Sequence, residues 1–196
     1  MNGTSFSLPV TLVEGANTFT LTATDQATNA SSATPLNIKL DSIKPALAIT
    51  DPSADITTTF KDYLVKGTTS DANGITLDFK VDGVSVTPVP AITGGAFEQT
   101  VTLTSAATTT HAVSVTVTDE AGNASTVQRN IIFRALGIAD ALKALRISVG
   151  LDDNSTGTYN ILDVAPLLNG KPKGNGVVDA GDAGVILRKV AGFEAW

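Results

Sequence analysis

Cysteine is absent from the sequence, and histidine occurs once, as His111. The lack of cysteine excludes disulfides and thiolate metal sites. His111 has no serine or carboxylate motif beside it, so we interpret it as a structural residue. The sequence also lacks a phosphate-binding loop, a nucleophile elbow and a zinc signature. We therefore predict that residues 1–196 are not an enzyme, and that any catalytic domain lies outside them.

Basic and aromatic residues are few. Thirteen Lys and Arg stand against 19 Asp and Glu, so the net charge is -6, and without a basic cluster we expect no nucleic-acid partner. No apolar run approaches the ~20 residues of a transmembrane helix. Sugar-binding proteins usually stack the sugar on exposed aromatic rings. Only Tyr63, Tyr159 and Trp196 are suitable for this role. We expect Trp196 to fray at the chain end and expect no direct carbohydrate binding.

Residues 4–134 alternate apolar and polar side chains with the period of a half-buried strand. The pattern is strict at residues 19–23, 77–81 and 113–117. Turn signals such as Asp82-Gly83 separate these segments. Several short strands at this spacing predict an all-β sandwich.

An internal repeat divides this β region. Phe6, Val10 and Leu12 recur 91 positions later, and residues 24–31 recur as residues 118–125. Residues 1–41 therefore match only the last three strands of residues 42–134. We predict half of one module followed by a complete one. The half module indicates a fragment of a longer protein, with strands supplied by a second chain as the alternative.

A second repeat, 42 residues apart, occupies residues 135–196. Asp140, Arg146 and Gly150 recur as Asp182, Arg188 and Gly192. Each copy predicts an amphipathic helix of about three turns that ends at its glycine. One helix is predicted to bury Ile138, Leu142, Leu145 and Val149, and the other Ala183, Ile186, Val190 and Phe193. Neither is stable alone at this length, so we expect the two faces to pack together.

The loop after the first helix matches a twelve-residue calcium loop, which supplies oxygen ligands at set positions around a glycine. Gly157 falls at the glycine position. The donors are Asp152, Asn154, Thr156, the Thr158 carbonyl, Asn160 and Asp163. The alternative is a solvated, turn-rich linker between the helices.

A second loop ends at Asp182. Counting back gives the donors Asn175, the Val177 carbonyl, Asp179 and Asp182. Lys171 and Lys173 then fall at ligand positions, where a lysine cannot bind calcium. An enlarged loop is one repair, with Asp163 as its first ligand and the Lys-Pro-Lys stretch looped outward. If no ion binds, Asp179 and Asp182 are N-cap and first-turn charges of the helix, as Asp140 also is.

The turns at residues 25–29 and 119–123 leave a further choice open. Their Asp and Asn side chains are suitable for calcium between modules, and they are equally what a tight hairpin turn needs.

Residues 1–134 resemble bacterial Ig-like repeats, on the evidence of residues 65–68, Asp82-Gly83 and residues 119–123. Residues 136–194 resemble dockerins, on the evidence of residues 174–183 and the helix that follows to Gly192. The resemblance implies an Ig-like β-sandwich, one complete and one partial, plus a small α-helical dockerin module related to EF-hands. It also implies one or two bound Ca²⁺ ions and a cohesin-like partner.

We therefore predict the non-catalytic end of a secreted or cell-surface multimodular protein, with Ig-like spacers and a calcium-binding module for attachment. Residues 1–13 lack the basic segment of a signal peptide, so we place the signal upstream. Two alternatives stay open. The first is an adhesin-like stalk whose helical module is a structural end-cap, and the second is an appendage of an upstream polysaccharide-degrading enzyme.

Overall fold

The computed structural model describes residues 5–71, 74–103, 108–153, 159–194 and 196 of the chain. Strands precede the helices along the sequence. The strands are β1 (Gly15–Leu21), β2 (Thr34–Leu40), β3 (Ala46–Asp51), β4 (Ile56–Thr58), β5 (Asp62–Ser70), β6 (Ile75–Val81), β7 (Val84–Ser85), β8 (Ala96–Thr102), β9 (Thr109–Asp119) and β10 (Ala124–Phe133). They are followed by α1 (Ile138–Ser148), α2 (Tyr159–Leu162), the short strands β11 (Leu167–Leu168) and β12 (Lys171–Pro172), and α3 (Ala180–Val190).

Strands β3 to β10 form two sheets that enclose one core. One sheet has the order β3-β5-β8 and the other β4-β10-β9-β6-β7. Neighbouring strands are antiparallel, except that β4 runs parallel to β10. The buried residues between the sheets are Ile49, Val65, Phe79, Phe97, Val101, Leu103, Val113, Val115, Ile131 and Phe133. The prediction of a mainly β chain with a β-sandwich is therefore confirmed.

The period-two pattern sets the register of the central strand β9. Val113, Val115 and Val117 are fully buried, and the residues between them are partly exposed. In the opposite sheet, β5 needs glycine at position 67. A Cβ atom there would lie 2.1 Å from Cζ of Phe97 and 2.6 Å from the carbonyl oxygen of Ala48. The ring of Phe97 thus fills the space above Gly67 and closes the core on that side.

Strands β1 and β2 pair with each other in register from Gly15–Leu40 to Leu21–Thr34. The residues of this part of the chain that recur in the sandwich are far more exposed here than their counterparts are there. Phe6 is 72% exposed and Val10 47%, whereas Phe97 and Val101 are each 3% exposed. In the sandwich, β5 pairs with β8 beside Phe97 and Val101, and among the described residues no strand pairs with residues 6–10 in this way.

The C-terminal helices pack on each other around a small core of their own. Its buried residues are Ala141, Ala144, Leu162, Val164, Val178, Ala183, Ile186 and Trp196. Both predicted stop signals are confirmed, because Gly150 (φ 74°) and Gly192 (φ 83°) adopt the left-handed conformation just past each helix. Trp196 is 8% exposed and therefore does not fray as expected.

The predicted inward face of α1 is wrong. Ile138, Leu142, Leu145 and Val149 are between 46% and 67% exposed, while Ala141 and Ala144 are buried against α3. In α3, Ala183 and Ile186 are buried as predicted, but Val190 is exposed, and so is Phe193 after the helix. Alanines let two helices approach closely, so the contact forms along Ala141, Ala144 and Ala183, with Ile186 and part of Ile147 beside them.

Candidate functional site

The two helix ends carry the same hydrogen bonds 42 residues apart. In the first copy, the Leu151 amide donates to the Arg146 carbonyl at 2.9 Å, and the Gly150 amide donates to the Ile147 carbonyl at 3.0 Å. In the second copy, the Phe193 and Gly192 amides donate to the equivalent carbonyls at 2.8 Å and 3.0 Å. This is a Schellman motif, and it explains why glycine is needed at both positions.

Each helix end also carries an ion pair at equivalent positions. The Arg146 guanidinium donates from Nε and Nη2 to Asp152 at 2.9 Å and 3.0 Å, and Arg188 Nη2 lies 2.7 Å from Glu194 Oε1. The hydrogen bond and charge of Arg146 lower the pKa of Asp152. The structure therefore places Asp152, predicted as the first ligand of a calcium loop, in a bidentate pair with Arg146.

The other residues of the predicted first loop are placed only in part. Asn154, Thr156 and Thr158 lie outside the described residues, and Asn160 belongs to the short helix α2. Asp163 follows α2, and its side chain is described, as is that of Asp152. Calcium binding by the first loop thus stays a prediction.

Asp163 instead turns toward the second loop. Its Oδ1 accepts from the Asn175 amide at 3.0 Å, and its Oδ2 accepts from the Gly176 amide at 2.9 Å. The intervening chain forms the β11–β12 hairpin, with Lys171 and Lys173 exposed. Asp163 thus closes on the turn at Gly176 while Lys171 and Lys173 lie outside; ligation of calcium by an enlarged loop stays a prediction.

The remaining donors of the second loop are engaged by protein groups. Asn175 Oδ1 accepts from the Val177 amide at 2.9 Å, and Asp179 Oδ1 accepts from the Gly181 amide at 2.6 Å. The fully buried Asp182 accepts at Oδ1 from the Val164 and Ala165 amides, both at 2.7 Å. Its Oδ2 accepts from the Asp179 amide at 2.8 Å, which is half of a capping box.

A calcium ion needs six or more oxygens that converge on one point. Asp182 accepts three backbone hydrogen bonds, and two of them occupy Oδ1. Among the described residues, Asp163, Asp179 and Asp182 do not form a group of carboxylates with oxygens within 4.8 Å of one another. In this structure backbone amides occupy the carboxylates of the second loop, and calcium binding by this loop stays a prediction.

An acidic cluster lies instead at the start of the sandwich. Oxygens of Asp41, Asp71 and Asp119 all lie within 4.8 Å of one another. Asp119 accepts from the amide and side chain of Asn123 at 2.8 Å, and Asn123 Nδ2 also lies 3.0 Å from the Asp41 carbonyl. Asp41 and Asp71 have further polar partners.

The first repeat contains the same turn without the cluster. Asp25 accepts from the amide and side chain of Asn29 at 2.9 Å and 2.8 Å, as Asp119 does from Asn123. These contacts are the ones that a tight hairpin needs. Sequence reasoning missed Asp41 and Asp71, because they are far from Asp119 in sequence and only the folded chain brings them beside it.

The helical module contacts the sandwich through Trp196. Its ring lies 6.1 Å from the ring of Phe60, and the Lys189 ammonium lies 4.1 Å above it. Burial and the charge of Lys61 lower the pKa of Lys189. A shallow cleft of about 230 Å³ adjoins this contact, lined by Phe60, Lys61, Asp62, Thr102, Lys171 and Trp196. Because its ring is buried, Trp196 offers no face for a sugar.

Two other residues singled out in the sequence have partners that the sequence did not indicate. Tyr63 donates its hydroxyl to Asp51 at 2.7 Å. His111 is buried with Nδ1 2.8 Å from Asp82 Oδ2, so the expectation that it has no carboxylate nearby is wrong. Burial raises the pKa of Asp82, but hydrogen bonds from His111 and Ala112 outweigh it and hold this pKa low.

The exposed side of α1 is the largest departure from the predicted arrangement. Ile138, Leu142, Leu145 and Val149 recur at helical spacing along one face, and Leu151 follows directly after the helix. Contiguous apolar surface of this kind marks interaction sites in soluble proteins. We call these five residues the α1 apolar face.

No protein-family model matches the chain, and no curated protein matches it. Among solved structures, the endo-beta-1,4-mannanase from Thermotoga petrophila is 12% identical with a TM-score of 0.39, covering 48% of this chain and 21% of that one. The titin M3 domain is 19% identical (TM-score 0.34; 47% and 99% covered), and titin domains Z1Z2 in complex with telethonin are 13% identical (TM-score 0.40; 61% of each). With TM-scores below 0.5, these likenesses carry no argument about function.

Among the described residues, no helix is both long and apolar enough to cross a membrane.

Proposed function

We propose that this chain is a non-catalytic attachment region of a multimodular secreted or cell-surface protein. The β-sandwich is an Ig-like spacer, and the helical module is dockerin-like and binds a cohesin-type domain of another protein through the α1 apolar face. The observation that carries the proposal is the exposure of this face, whose helical residues are 46–67% exposed.

The second copy of the repeat has small residues at three of the five positions that correspond to the α1 apolar face. The equivalents of Ile138, Leu142 and Val149 in the second copy are Ala180, Gly184 and Ala191. Both helices are 11 residues long, begin with an aspartate that accepts from the N-cap amide, and end in the same Schellman bonds; α3 has in addition the side-chain cap of Asp179. Leu145 and Leu151 correspond to Leu187 and Phe193, which are also large and exposed, at 49% and 77%. The contrast between the copies is therefore confined to Ile138, Leu142 and Val149, and α3 forms without large residues at those three positions.

Burial of the α1 apolar face against a partner would be favourable. Full burial of one aliphatic side chain contributes roughly 1.5–3 kcal/mol, and about half of each of these surfaces is still exposed to solvent. Several such residues in one contiguous patch are enough for the central cluster of a protein interface. Lys143 and Arg146 lie on the same helix, and together with Asp152, which follows it and pairs with Arg146, they would contribute the polar rim.

Calcium is not required by this proposal. The dockerin resemblance implies an ion, and an ion at the first loop stays a prediction. Because Asp182 is engaged by backbone amides, we place recognition on the apolar face and treat the ion as a separate question.

A second function is favoured by the contact between Trp196 and Phe60. A helical module fastened to the sandwich by this ring pair would serve as the rigid end-cap of a stalk. That the region belongs to a polysaccharide-degrading enzyme stays a prediction.

The experiment is calorimetric titration of the full chain with a panel of cohesin domains, in CaCl2 and in EDTA. We expect one domain to bind, and expect Leu142→Asp to weaken that binding at least tenfold. Val84→Asp is the matched control, because Val84 is 71% exposed on β7, outside the helical module. Equal affinities of the two variants, or no binding by the native chain, would contradict attachment through this face and leave the end-cap.

A further inference from the structure

The two helices of the C-terminal module begin with the same buried carboxylate. Asp140 and Asp182 occupy the third position of α1 and α3 and are 8% and 0% exposed. One oxygen of each accepts from the backbone amide three residues earlier, that of Gly137 or Asp179, at 2.8 Å. In the calcium-loop pattern this carboxylate is the last ligand of the ion.

The second oxygen of each carboxylate has a different partner in each copy. Asp140 Oδ1 accepts from Nη2 of Arg134. Asp182 Oδ1 accepts from the Val164 and Ala165 amides, both at 2.7 Å. The first copy thus supplies a guanidinium, and the second supplies two backbone dipoles, at the oxygen that would face the ion.

A buried carboxylate must be compensated, because removing its charge from water is unfavourable unless cations or N–H donors replace the lost hydration. A divalent ion is one such partner, but these positions already have others. Arg134 gives a full positive charge to Asp140, and three amides satisfy Asp182. Neither carboxylate needs a metal for its burial.

We infer that Asp140 and Asp182 are structural residues that fix the starts of the helices and hold no ion. In the first copy, Arg134 supplies the positive charge that compensates Asp140. This goes beyond the proposed function, because it concerns what holds the helices in place and not what the module binds.

The position of Arg134 links the two modules. It directly follows the last sandwich strand, β10, and its amide donates at 2.8 Å to the carbonyl of Thr58, the last residue of β4. Its guanidinium reaches Asp140 in the first turn of α1, six residues later. The start of α1 is therefore fixed to the end of the sandwich, whereas a calcium loop would fix it within the helical module alone.

The test is thermal unfolding of the full chain in EDTA and in CaCl2, followed by ellipticity at 222 nm. We compare the native chain with Arg134→Gln, Asp182→Asn and the control Asp153→Asn, which removes an exposed charge. We expect Arg134→Gln and Asp182→Asn to lower the midpoint on the order of 5 °C or more. The decrease should be the same with and without calcium, and Arg134→Lys should recover part of it.

The inference is overturned if calcium raises the midpoint of the native chain and Asp182→Asn removes that rise. A rise that survives in Asp182→Asn places the ion elsewhere and supports the inference.

Should Asp182→Asn not fold, calcium titration by calorimetry of the native chain, Asp140→Asn and Asp163→Asn replaces it, because Asp163 is the first ligand of the enlarged loop that ends at Asp182. Equal binding in all three supports the inference, and loss of binding in Asp140→Asn or Asp163→Asn overturns it. Neither result depends on whether a cohesin domain binds, so failure of the proposed function can be recognised separately.

Discussion

Ala144 is the residue that most directly tests how α1 packs on α3. It is fully buried between the helices, and the next residue, Leu145, is 46% exposed on the opposite side. Replacing Ala144 by leucine inserts an isobutyl group where Ala141, Ala183 and Ile186 already fill the space. Overpacking of this kind destabilises by roughly 1–3 kcal/mol.

Leu145→Ala is the matched change on the outer side. Full burial of leucine contributes about 1.5–3 kcal/mol, and nearly half of this side chain is exposed, so at most about half of that is lost. Alanine also favours the helix more than leucine does, which reduces the loss further. We therefore expect Leu145→Ala to destabilise by less than ~1 kcal/mol.

Thermal unfolding followed at 222 nm reports on this region, because α1, α2 and α3 all belong to the C-terminal module. In a small domain such as the C-terminal module, each kcal/mol of lost stability lowers the midpoint by roughly 4–8 °C. Ala144→Leu should thus lower the midpoint by several degrees more than Leu145→Ala. The opposite order would show that the large residues face α3, and the docking surface would then be refuted together with the packing.

Two further predictions concern the interior of α3 and the end of α1. Gly184→Ala should stabilise the chain by about 0.5–1 kcal/mol in urea unfolding, because Gly184 lies within α3 and an added Cβ meets no atom within 4 Å. The pKa of Asp152 is lowered by Arg146, so their pair stabilises the fold above the unfolded value of about 3.9 and loses this effect as pH falls through the folded value. A carboxyl-carbon NMR titration should show the lowered pKa, and Arg146→Gln should return it to the ordinary range.

The strands could be predicted because one rule governs them. Alternation over residues 113–117 places every second valine inside, and β9 follows it without exception. The stop glycines at positions 150 and 192 were equally predictable, because a left-handed residue after a helix strongly favours glycine. These features depend on local geometry, which the sequence states directly.

The buried face of α1 could not be predicted in this way. Hydrophobic periodicity selects the side with the largest apolar residues, and here that side carries Leu142 and Leu145. The helices instead meet along Ala141 and Ala144, since the contact depends on how closely two backbones approach. The pattern is correct about amphipathicity, but it does not distinguish a face that packs within the module from one available to a partner.

The calcium loop at Asp152 shows why a twelve-residue pattern is weaker than a repeat. Asp, Asn, Thr and Gly are typical of calcium loops, but they also end helices and form turns. A calcium loop and a turn after a helix therefore have similar sequences. The repeat adds information about Asp152 that the loop pattern lacks. Glu194 stands 42 residues after Asp152 and pairs with Arg188 as Asp152 pairs with Arg146, although the loop pattern assigns no ligand to Glu194. An acid six residues after a helical arginine in both copies indicates an ion pair at the helix end, and that comparison was available from the sequence alone.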